Sequence, residues 1–345
     1  MFDVAPVARD EGWAVGQVST EHVLLRRHGG TWQRATLPLP TSRGLFNIHL
    51  AASAPDNVWL FTGLFGAGGD NGGPSETPAA RRWDGHQWIT IPIDFTATDV
   101  AVLAPDDVWV LDSGHSHGRP VTRHWDGHRW TEYVLPHPAA SLSASDPRNV
   151  WAVGHRDDPT GRTQSQPGAM RFDGTAWQAL PTPEHRSATP KPREMAKLTE
   201  VVAVAGDNVW AFGDHDENPA ATDPTGHHTI IVLHWDGSTW RKAPSAPDYT
   251  VDIHPFPDLA ATGDGAGGFV LGGYQHGAPN GTLRVIGYPA PPPATSEAPS
   301  PTGQFRVNDL QLVPGTREVW AAGAMGFGAS GVTPRGIIAS CTLNG

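Results

Sequence analysis

The chain has little cysteine, little lysine and no long apolar run. Cys341 is its one cysteine, which excludes an intramolecular disulfide and a cysteine-based zinc site. No stretch approaches the roughly 20 apolar residues that cross a bilayer. Residues 1–10 have neither a basic start nor an apolar run, so no signal peptide is predicted. The expected location is the cytoplasm, or outside the cell if Met1 replaces the processed start of a secreted domain.

Positive charge is scarce as well. The net charge of −11 argues against a nucleic-acid surface, which needs clustered lysine and arginine. Lysine occurs only at Lys191, Lys197 and Lys242, and this bias towards arginine, with much Ala, Gly and Pro, is typical of a GC-rich bacterial genome. Abundant glycine and proline without apolar spacing at the helical period favour many short strands and turns.

What the chain does contain is a repeat. A core of the form Asp-Asn-Val-Trp, or a near variant, occurs four times, and three more divergent copies are recognisable. The copies lie about 40 to 60 residues apart, which is the spacing of propeller blades. Their aromatic residues are Trp13, Trp59, Trp109, Trp151, Trp210, Phe269 and Trp320.

A second core follows each of the first five copies. Its usual form is Trp-Asp-Gly-x-x-Trp, and Asp-Gly between apolar strands predicts a tight hairpin because glycine accepts positive φ. Each repeat therefore predicts four strands, A to D, with a short A–B turn and the Asp-Gly turn between C and D. The tryptophans are expected to pack between neighbouring units. These second cores span residues 28–32, 83–88, 125–130, 172–177 and 235–240.

These residues resemble the bacterial β-propeller repeats written D-V-W-A-V-G followed by W-D-G-x-x-W, and more distantly WD40-like and Asp-box propellers. The resemblance covers nearly the whole chain and implies an all-β fold, a seven-bladed β-propeller. Such propellers include binding scaffolds and enzymes, so it implies little about activity. The single predicted domain, 1–345, divides into blades at approximately 1–39, 40–94, 95–137, 138–183, 184–248, 249–302 and 303–345.

Blades six and seven are predicted to lack a regular outer strand. Residues 289–293 read Pro-Ala-Pro-Pro-Pro where strand D of blade six should be, and proline cannot donate ladder hydrogen bonds. The sequence stops at Gly345, where the Asp-Gly turn of blade seven should begin. Closure of the ring is therefore expected to depend on packing between blades one and seven.

Loop length distinguishes the two faces of the predicted ring. The A–B and C–D turns on one face are short, whereas the B–C and D–A connections on the other hold nearly all the length variation. Long loops on one face of a rigid scaffold usually carry binding; the alternative is that insertions accumulated wherever they were tolerated. This long-loop face contains residues 63–80, 154–169, 181–197, 213–229 and 289–304.

Strand A begins at the long-loop face, beside the central channel. Counting back ten or eleven residues from each strand-B aromatic gives one position per blade, and five of the seven are carboxylates. Such a ring focuses negative potential, attracts a metal ion or an organic cation, and raises carboxyl pKa values. The alternative is that these side chains accept backbone hydrogen bonds and hold turns. The predicted ligand-binding residues are Asp3, His49, Asp99, Ser141, Glu200, Asp258 and Asp309.

Histidines that follow strand B on blades three to six add a second pattern. Neutral imidazole is a common metal ligand, although the chain has 17 histidines and several belong to hairpins far from the channel mouth. The predicted cofactor, where one is bound, is a divalent metal ion. The predicted metal ligands are His49, Asp99, Glu200, Asp258, Asp309, His115, His155, His215 and His276.

Two functions compete on these observations. The preferred hypothesis is a scaffold that binds a small molecule, glycan or protein across the long-loop face and the acidic channel mouth. The alternative is a metal-assisted lyase, hydrolase or cyclase at the same mouth, where the ion polarises an oxygen or activates water. In that scheme a neighbouring carboxylate or His115 carries the proton. No catalytic residue and no substrate can be assigned from the sequence.

Overall fold

The computed structural model describes only strands, turns and short connections. The described residues are 1–18, 21–37, 45–64, 78–112, 118–217, 228–243, 259–273, 283–286, 305–325 and 335–343. Within them the chain forms 26 strands. No helix in this part of the chain is long and apolar enough to cross a membrane. The predicted all-β character therefore holds wherever the chain is described.

The strands form successive antiparallel groups, in which each strand pairs with the next along the chain. The first group contains β1 (Asp3–Ala8), β2 (Glu11–Val18), β3 (Glu21–His28) and β4 (Thr31–Ala35). The second contains β5 (Leu45–Ala54), β6 (Asn57–Leu64), β7 (Ala79–Trp83) and β8 (Trp88–Pro92). The third contains β9 (Ala97–Ala104), β10 (Asp107–Asp112), β11 (Val121–Trp125) and β12 (Trp130–Val134).

The later groups follow the same order. The fourth contains β13 (Ala139–Asp146), β14 (Asn149–Asp157), β15 (Ser165–Phe172) and β16 (Trp177–Leu180). The fifth contains β17 (Met195–Ala205), β18 (Asn208–Asp216), β19 (His228–Trp235) and β20 (Trp240–Lys242). The sixth contains β21 (Leu259–Gly263), β22 (Phe269–Gly273) and β23 (Leu283–Ile286), and the seventh contains β24 (Phe305–Leu312), β25 (Glu318–Met325) and β26 (Arg335–Thr342). The predicted missing outer strands fall on 287–304 and 344–345, outside the described residues.

The first strands of the groups surround a common axis. Each contacts the first strand of the next group, from β1 through β5, β9, β13, β17 and β21 to β24, and β24 contacts β1. A buried apolar cluster at this last junction brings Val4 and Val23 of the first group against Val313 and Trp320 of the seventh. The described sheets therefore close into a ring. Packing contributes to this junction, as the sequence predicted, but hydrogen bonds that were not predicted also cross it, such as the one from the Met1 amino group to the Gly323 carbonyl over 2.7 Å.

One junction in the ring includes a backbone bridge between neighbouring groups. Ser165, which begins β15, pairs in parallel with Met195, which begins β17. The Ser165 hydroxyl also donates a hydrogen bond to the Ala196 carbonyl over 3.2 Å. The fourth and fifth groups are consequently parts of one continuous eight-stranded sheet.

The predicted Asp-Gly turns are formed by a local hydrogen-bond pattern. In the second group the Asp84 carboxylate accepts hydrogen bonds from the backbone N–H groups of His86 and Gln87, both over 2.8 Å. Gly85, between Asp84 and His86, has φ 95°, which residues with a side chain rarely adopt. The side chain of Asp84 therefore satisfies the backbone amides of its own turn, which makes the turn a local feature of the sequence. The same pattern recurs at Asp126, Asp173 and Asp236.

Tryptophans fill the gaps between groups, as expected from the repeat. The indole of the second strand in one group contacts the indole that begins the fourth strand of the next group, with ring centroids 5.4 to 6.2 Å apart. The first group's Trp32 fills the same place against Trp320 of the seventh. These pairs are Trp13–Trp88, Trp59–Trp130, Trp109–Trp177, Trp151–Trp240 and Trp320–Trp32.

In the sixth group the sequence alignment is wrong by one residue. Phe269, which was aligned with the strand-B tryptophans, packs backwards against Trp210 of the fifth group at 4.8 Å between ring centroids. Val270 packs forwards against Val307 and Leu310 of the seventh group, so it occupies the place of the tryptophan. The described part of the seventh group brings no fourth-strand indole against this position, and a valine fills it.

Thr122 tests how much the indole hydrogen bond adds to this packing. Its fully buried hydroxyl accepts a hydrogen bond from Trp177 Nε1 over 2.8 Å. We expect Thr122→Val to lower the free energy of unfolding by about 1–3 kcal/mol, because a buried donor loses its partner at nearly constant volume. Urea denaturation measures the change. Thr90→Val, on the exposed face of β8, is the control and should change stability by less than about 0.5 kcal/mol; equal losses in both variants would contradict this account.

Candidate functional site

The predicted channel residues share one place in the described sheets. Each lies on the first strand of its group and pairs with the residue two positions after the second-strand tryptophan. In the first group, for example, Asp3 pairs with Val15, two residues after Trp13. The structure thereby brings to one level of the channel Asp3, His49, Asp99, Ser141, Glu200 and Asp309.

The seventh predicted residue, Asp258, lies outside the described residues. In the sixth group Val270 takes the tryptophan's place, and the residue two positions later, Gly272, pairs with Ala260. Ala260 is buried and has no polar atom in its side chain. In the sixth group, therefore, the equivalent place on the first strand is apolar.

A cavity of about 400 Å³ occupies the channel between the first strands. Every group contributes residues to its wall, from Asp3 on β1 to Asp309 on β24. The polar side chains at this wall include His49, Asp99 and Glu200. The side chains of Asp3 and His49 are 20% and 26% exposed, so water in the channel reaches both.

Most of these side chains also hold neighbouring groups together. The Asp3 carboxylate accepts a hydrogen bond over 2.9 Å from the Leu50 N–H, which lies one residue after His49 on the next first strand. An equivalent hydrogen bond joins the third group to the fourth, the fourth to the fifth, and the seventh to the first. The acceptors and donors in those groups are Asp99 and Leu142 N–H (2.6 Å), Ser141 and Val201 N–H (3.2 Å), and Asp309 and Val4 N–H (2.9 Å).

The sequence left two roles open for these side chains: ligand binding, or accepting backbone hydrogen bonds that hold turns. The inter-blade hydrogen bonds support part of the second role. The side chains do accept backbone hydrogen bonds, but from the adjacent first strand and not from their own turns. In each of the three channel aspartates, Asp3, Asp99 and Asp309, Oδ2 accepts this inter-blade hydrogen bond. The remaining oxygen of Asp99 accepts from Val100 N–H, and that of Asp309 accepts from Gln311. The carboxylates are therefore structural acceptors that also line the cavity.

Burial in the channel raises the proton affinity of the acidic groups. Burial, together with the charge of a neighbouring aspartate, raises the pKa of Asp3 and of Asp309 to about 7; the neighbours are Asp99 and Asp3 respectively. Burial also raises the pKa of Asp99, and it raises that of Glu200 well above its usual range. For His49, whose Nδ1 lies 3.6 Å from Asp3 Oδ2, burial lowers the pKa. Near neutral pH the cluster therefore retains bound protons.

Apart from His49, the predicted histidine ligands that the structure describes do not line this cavity. His155 is half-buried on β14, and burial lowers the pKa of its imidazole. His215 on β18 binds Glu194, in the gap between the fourth and fifth groups. His115 and His276 lie outside the described residues. In the described ranges no three His, Cys, Asp or Glu side chains are arranged to hold a metal ion, so the metal at the channel mouth stays a prediction.

Two of the predicted long loops are described, and buried polar side chains hold them in place. Asp158 follows β14, and its carboxylate is fully buried. It accepts hydrogen bonds from the backbone and hydroxyl groups of Thr160 and Thr163, all within 2.9 Å. Arg186, from the loop that precedes β17, donates to the same carboxylate over 2.8 Å. Asp158 thus joins the B–C loop of the fourth group to the connection that leads into the fifth.

Sequence reasoning missed this network. Gln166 and Glu194 are fully buried, and both bind the loop that precedes β17. The Gln166 amide bonds both the N–H and the carbonyl of His185, over 2.8 and 2.9 Å. Glu194 accepts from Ser187 N–H and from His215 Nε2, over 2.6 and 2.8 Å. One signal was available: Asp158-Pro-Thr-Gly is typical of a side-chain-capped turn.

Comparison with known proteins identifies relatives at the level of fold. No protein-family model matches the chain, and no curated protein matches it by sequence. Among solved structures it is similar to YCF48 bound to D1 peptide, with a TM-score of 0.51 and 13% identity over 94% of this chain and 89% of that chain. It is also similar to the polysaccharide lyase Uly1, with a TM-score of 0.55 and 11% identity over 98% and 89%. The chain is a β-propeller, and at these identities the likeness shows the fold alone.

The channel carboxyls make stability depend on pH. The folded-state pKa of Asp3 and Asp309 is about 7, above the ordinary value of 3.8, so the folded chain binds more protons between these values. That stability is fully present below about pH 4 and is lost as pH rises through 7. Burial lowers the pKa of several histidines, His185 among them, and their contribution to stability changes with pH in the opposite direction. We therefore expect the contribution of Asp3 and Asp309 to the free energy of unfolding to be at least about 1 kcal/mol smaller at pH 8 than at pH 5, as measured by denaturant titration of the parent chain and of an Asp3 variant at each pH.

Asp3→Asn separates charge from hydrogen bonding. Asparagine keeps an oxygen for the Leu50 N–H and removes one titrating group, so the difference between pH 5 and pH 8 should shrink. Asp94→Asn, an exposed matched change, should leave the difference as it is. An Asp3→Asn protein with the full pH dependence would show that the channel carboxyls are not its source.

Asp158 tests the loop network. We expect Asp158→Ala to lower the free energy of unfolding by about 3 kcal/mol, because Arg186 and the two threonines lose a buried anionic acceptor. Limited trypsin digestion should then cut sooner in the two loops, after Arg162, Arg186 and Arg193. The control is Asp173→Ala in an exposed tight turn, which should cost less and leave the digestion of these loops unchanged. Equal digestion in both variants would contradict the proposed role of Asp158.

Proposed function

We propose that this chain is a non-enzymatic, seven-bladed propeller that binds a ligand or partner at its long-loop face, with the acidic channel mouth as the binding centre. The observation that carries this proposal is the cavity of about 400 Å³ with carboxyl groups from separate blades at its wall. Small-molecule sites are typically clefts of roughly 300–1,000 Å³ with a few convergent polar groups. The channel has both properties.

The described loops of the long-loop face support binding by a preorganised surface. Asp158, Gln166 and Glu194 hold residues 158–194 through buried hydrogen bonds. A surface that is already ordered loses less conformational entropy when a partner docks. The C–D turns of the opposite face are instead short hairpins closed by their own aspartates.

The charge of the cavity favours a cationic ligand. Four carboxyl groups and one imidazole meet there in a chain of net charge −11. Low-dielectric walls strengthen their potential in the channel. Since the pKa of Asp3 and of Asp309 is about 7, a cation that binds beside them displaces protons. Affinity for a cation should therefore rise as pH increases from 6 to 8.

One observation favours the enzymatic alternative. Carboxyl groups with a pKa of about 7 suit general acid–base catalysis near neutral pH. Against it, each described channel aspartate commits an oxygen to a neighbouring backbone amide. One structural relative is a polysaccharide lyase and another was solved with a bound peptide, and at 11% and 13% identity neither likeness decides the matter.

The test uses spermidine as a cationic probe of the channel. We expect isothermal titration calorimetry to show binding at pH 8 that weakens at pH 6 and releases protons. Glu200→Gln should weaken binding at least about 5-fold, because glutamine cannot give up a proton to a bound cation as the Glu200 carboxyl can. The change also leaves the inter-blade hydrogen bonds to backbone in place. Asp10→Asn, on an exposed A–B turn of the opposite face, is the matched control and should bind as the parent chain does.

Two results would count against the proposal. Spermidine binding that is equal in Glu200→Gln and the parent chain would place the cation elsewhere. No detectable binding of spermidine at pH 8 would reject the cationic ligand.

A further inference from the structure

Two histidines lie together between the fourth and fifth groups, away from the channel cavity. His185 belongs to the loop before β17, and His215 lies near the end of β18 on the side that faces the fourth group. Their ring centroids are 6.2 Å apart and the rings are nearly perpendicular, at 68°. Neither residue lines the channel cavity. The pair is therefore a separate feature from the acidic channel mouth.

Glu194 orients His215. The side chain of Glu194 has no exposed surface, and that of His215 is 7% exposed. Glu194 Oε1 accepts from His215 Nε2 over 2.8 Å and from Ser187 N–H, and Oε2 accepts from the Ser187 hydroxyl and from Lys191 N–H. A neutral imidazole that donates from Nε2 presents the lone pair of Nδ1. This carboxylate–imidazole arrangement is the one that orients histidines for metal binding.

Gln166 positions His185 in a different way. Its fully buried amide bonds the backbone of His185 on both sides and leaves the imidazole uncommitted. His185 Nε2 is buried and has no hydrogen-bond partner among the residues that the structure describes. Such an unsatisfied polar atom normally costs about 1–3 kcal/mol, and an ion or ordered water is a common reason for it.

We propose that His185 and His215 form a two-imidazole site for a first-row divalent metal ion of the zinc type, with Glu194 as the positioning residue and water completing the coordination. Imidazole nitrogen is a preferred ligand for Zn²⁺, Ni²⁺ and Cu²⁺. With metal–nitrogen distances of about 2.0–2.1 Å, two imidazoles on one ion have ring centres about 5 to 6 Å apart, close to the separation found. No third ligand of the usual types is in place within the described ranges, which is why water is included.

The electrostatic surroundings act in both directions. Burial, and then the charges of Lys242 and His215, lower the pKa of His185 to about 3. The imidazole is therefore neutral at physiological pH, as a metal ligand must be. The ammonium of Lys242 also opposes a bound cation, whereas the carboxylate of Glu194 favours it. Removal of the Lys242 charge should consequently tighten metal binding.

The experiment is calorimetric titration of the untagged, full-length chain with Zn²⁺. We expect one site, with binding weakened at least 10-fold in His185→Gln. This variant keeps the loop in place, because Gln166 holds the backbone of residue 185 and not its imidazole. His215→Ala should weaken binding similarly, and Lys242→Gln should tighten it several-fold. Cu²⁺ in place of Zn²⁺ should give an electron paramagnetic resonance spectrum with coupling to two imidazole nitrogens.

Two measurements make the result decisive. His86→Ala and His128→Ala, in exposed turns of the opposite face, should bind Zn²⁺ as the parent chain does, which distinguishes the site from scattered surface histidines. Glu194→Gln should weaken Zn²⁺ binding and change the Cu²⁺ spectrum while thermal unfolding shows that the variant is folded. Binding that is unchanged in His185→Gln, or no Zn²⁺ binding to the parent chain, would overturn the proposal. Spermidine binding in the channel is independent of both outcomes.

Discussion

The ring depends on the hydrogen bonds that channel side chains accept from the next first strand. A propeller has no covalent link between its blades except the loops, and apolar packing alone does not set the height of one blade relative to another. Asp3, Ser141 and Asp309 each receive a backbone N–H from the adjacent group, which sets that height residue by residue. Because these acceptors must face the channel, the same residues give the cavity its charge.

Much of the repeat architecture could be predicted from the sequence because its signals are local. An Asp-Gly turn is closed by its own side chain, as at Asp84, and needs no knowledge of the tertiary structure. The tryptophans predicted the packing between groups, since large flat side chains at a regular spacing have few other places to go. Counting back ten residues from Trp13, Trp109 or Trp151 located the channel position because the first two strands form a hairpin of nearly constant length.

Sequence reasoning failed where the place of a residue is set by its contacts with a neighbouring group of strands. Phe269 is the more tryptophan-like residue of the sixth group, yet Val270 takes the tryptophan's place, and only packing against Leu310 reveals it. Counting back ten from Val270 leads to Ala260 and not to Asp258. The loop network was missed for a similar reason: Gln166 and Glu194 are far apart in sequence and bind groups on a loop with no repeat pattern. The hydrogen-bond partners that satisfy these two buried side chains come close to them only in the folded chain.

The continuous sheet through the fourth and fifth groups makes the ring mechanically uneven. The other described groups contact their neighbours through side chains, including the hydrogen bonds to Asp3 and Asp309, whereas these two groups also share a backbone bridge at Ser165 and Met195. They form a stiff arc within an otherwise more deformable circle. Any breathing of the channel is then concentrated in the remaining blades, and the stiff arc serves as the frame against which the mouth widens or narrows.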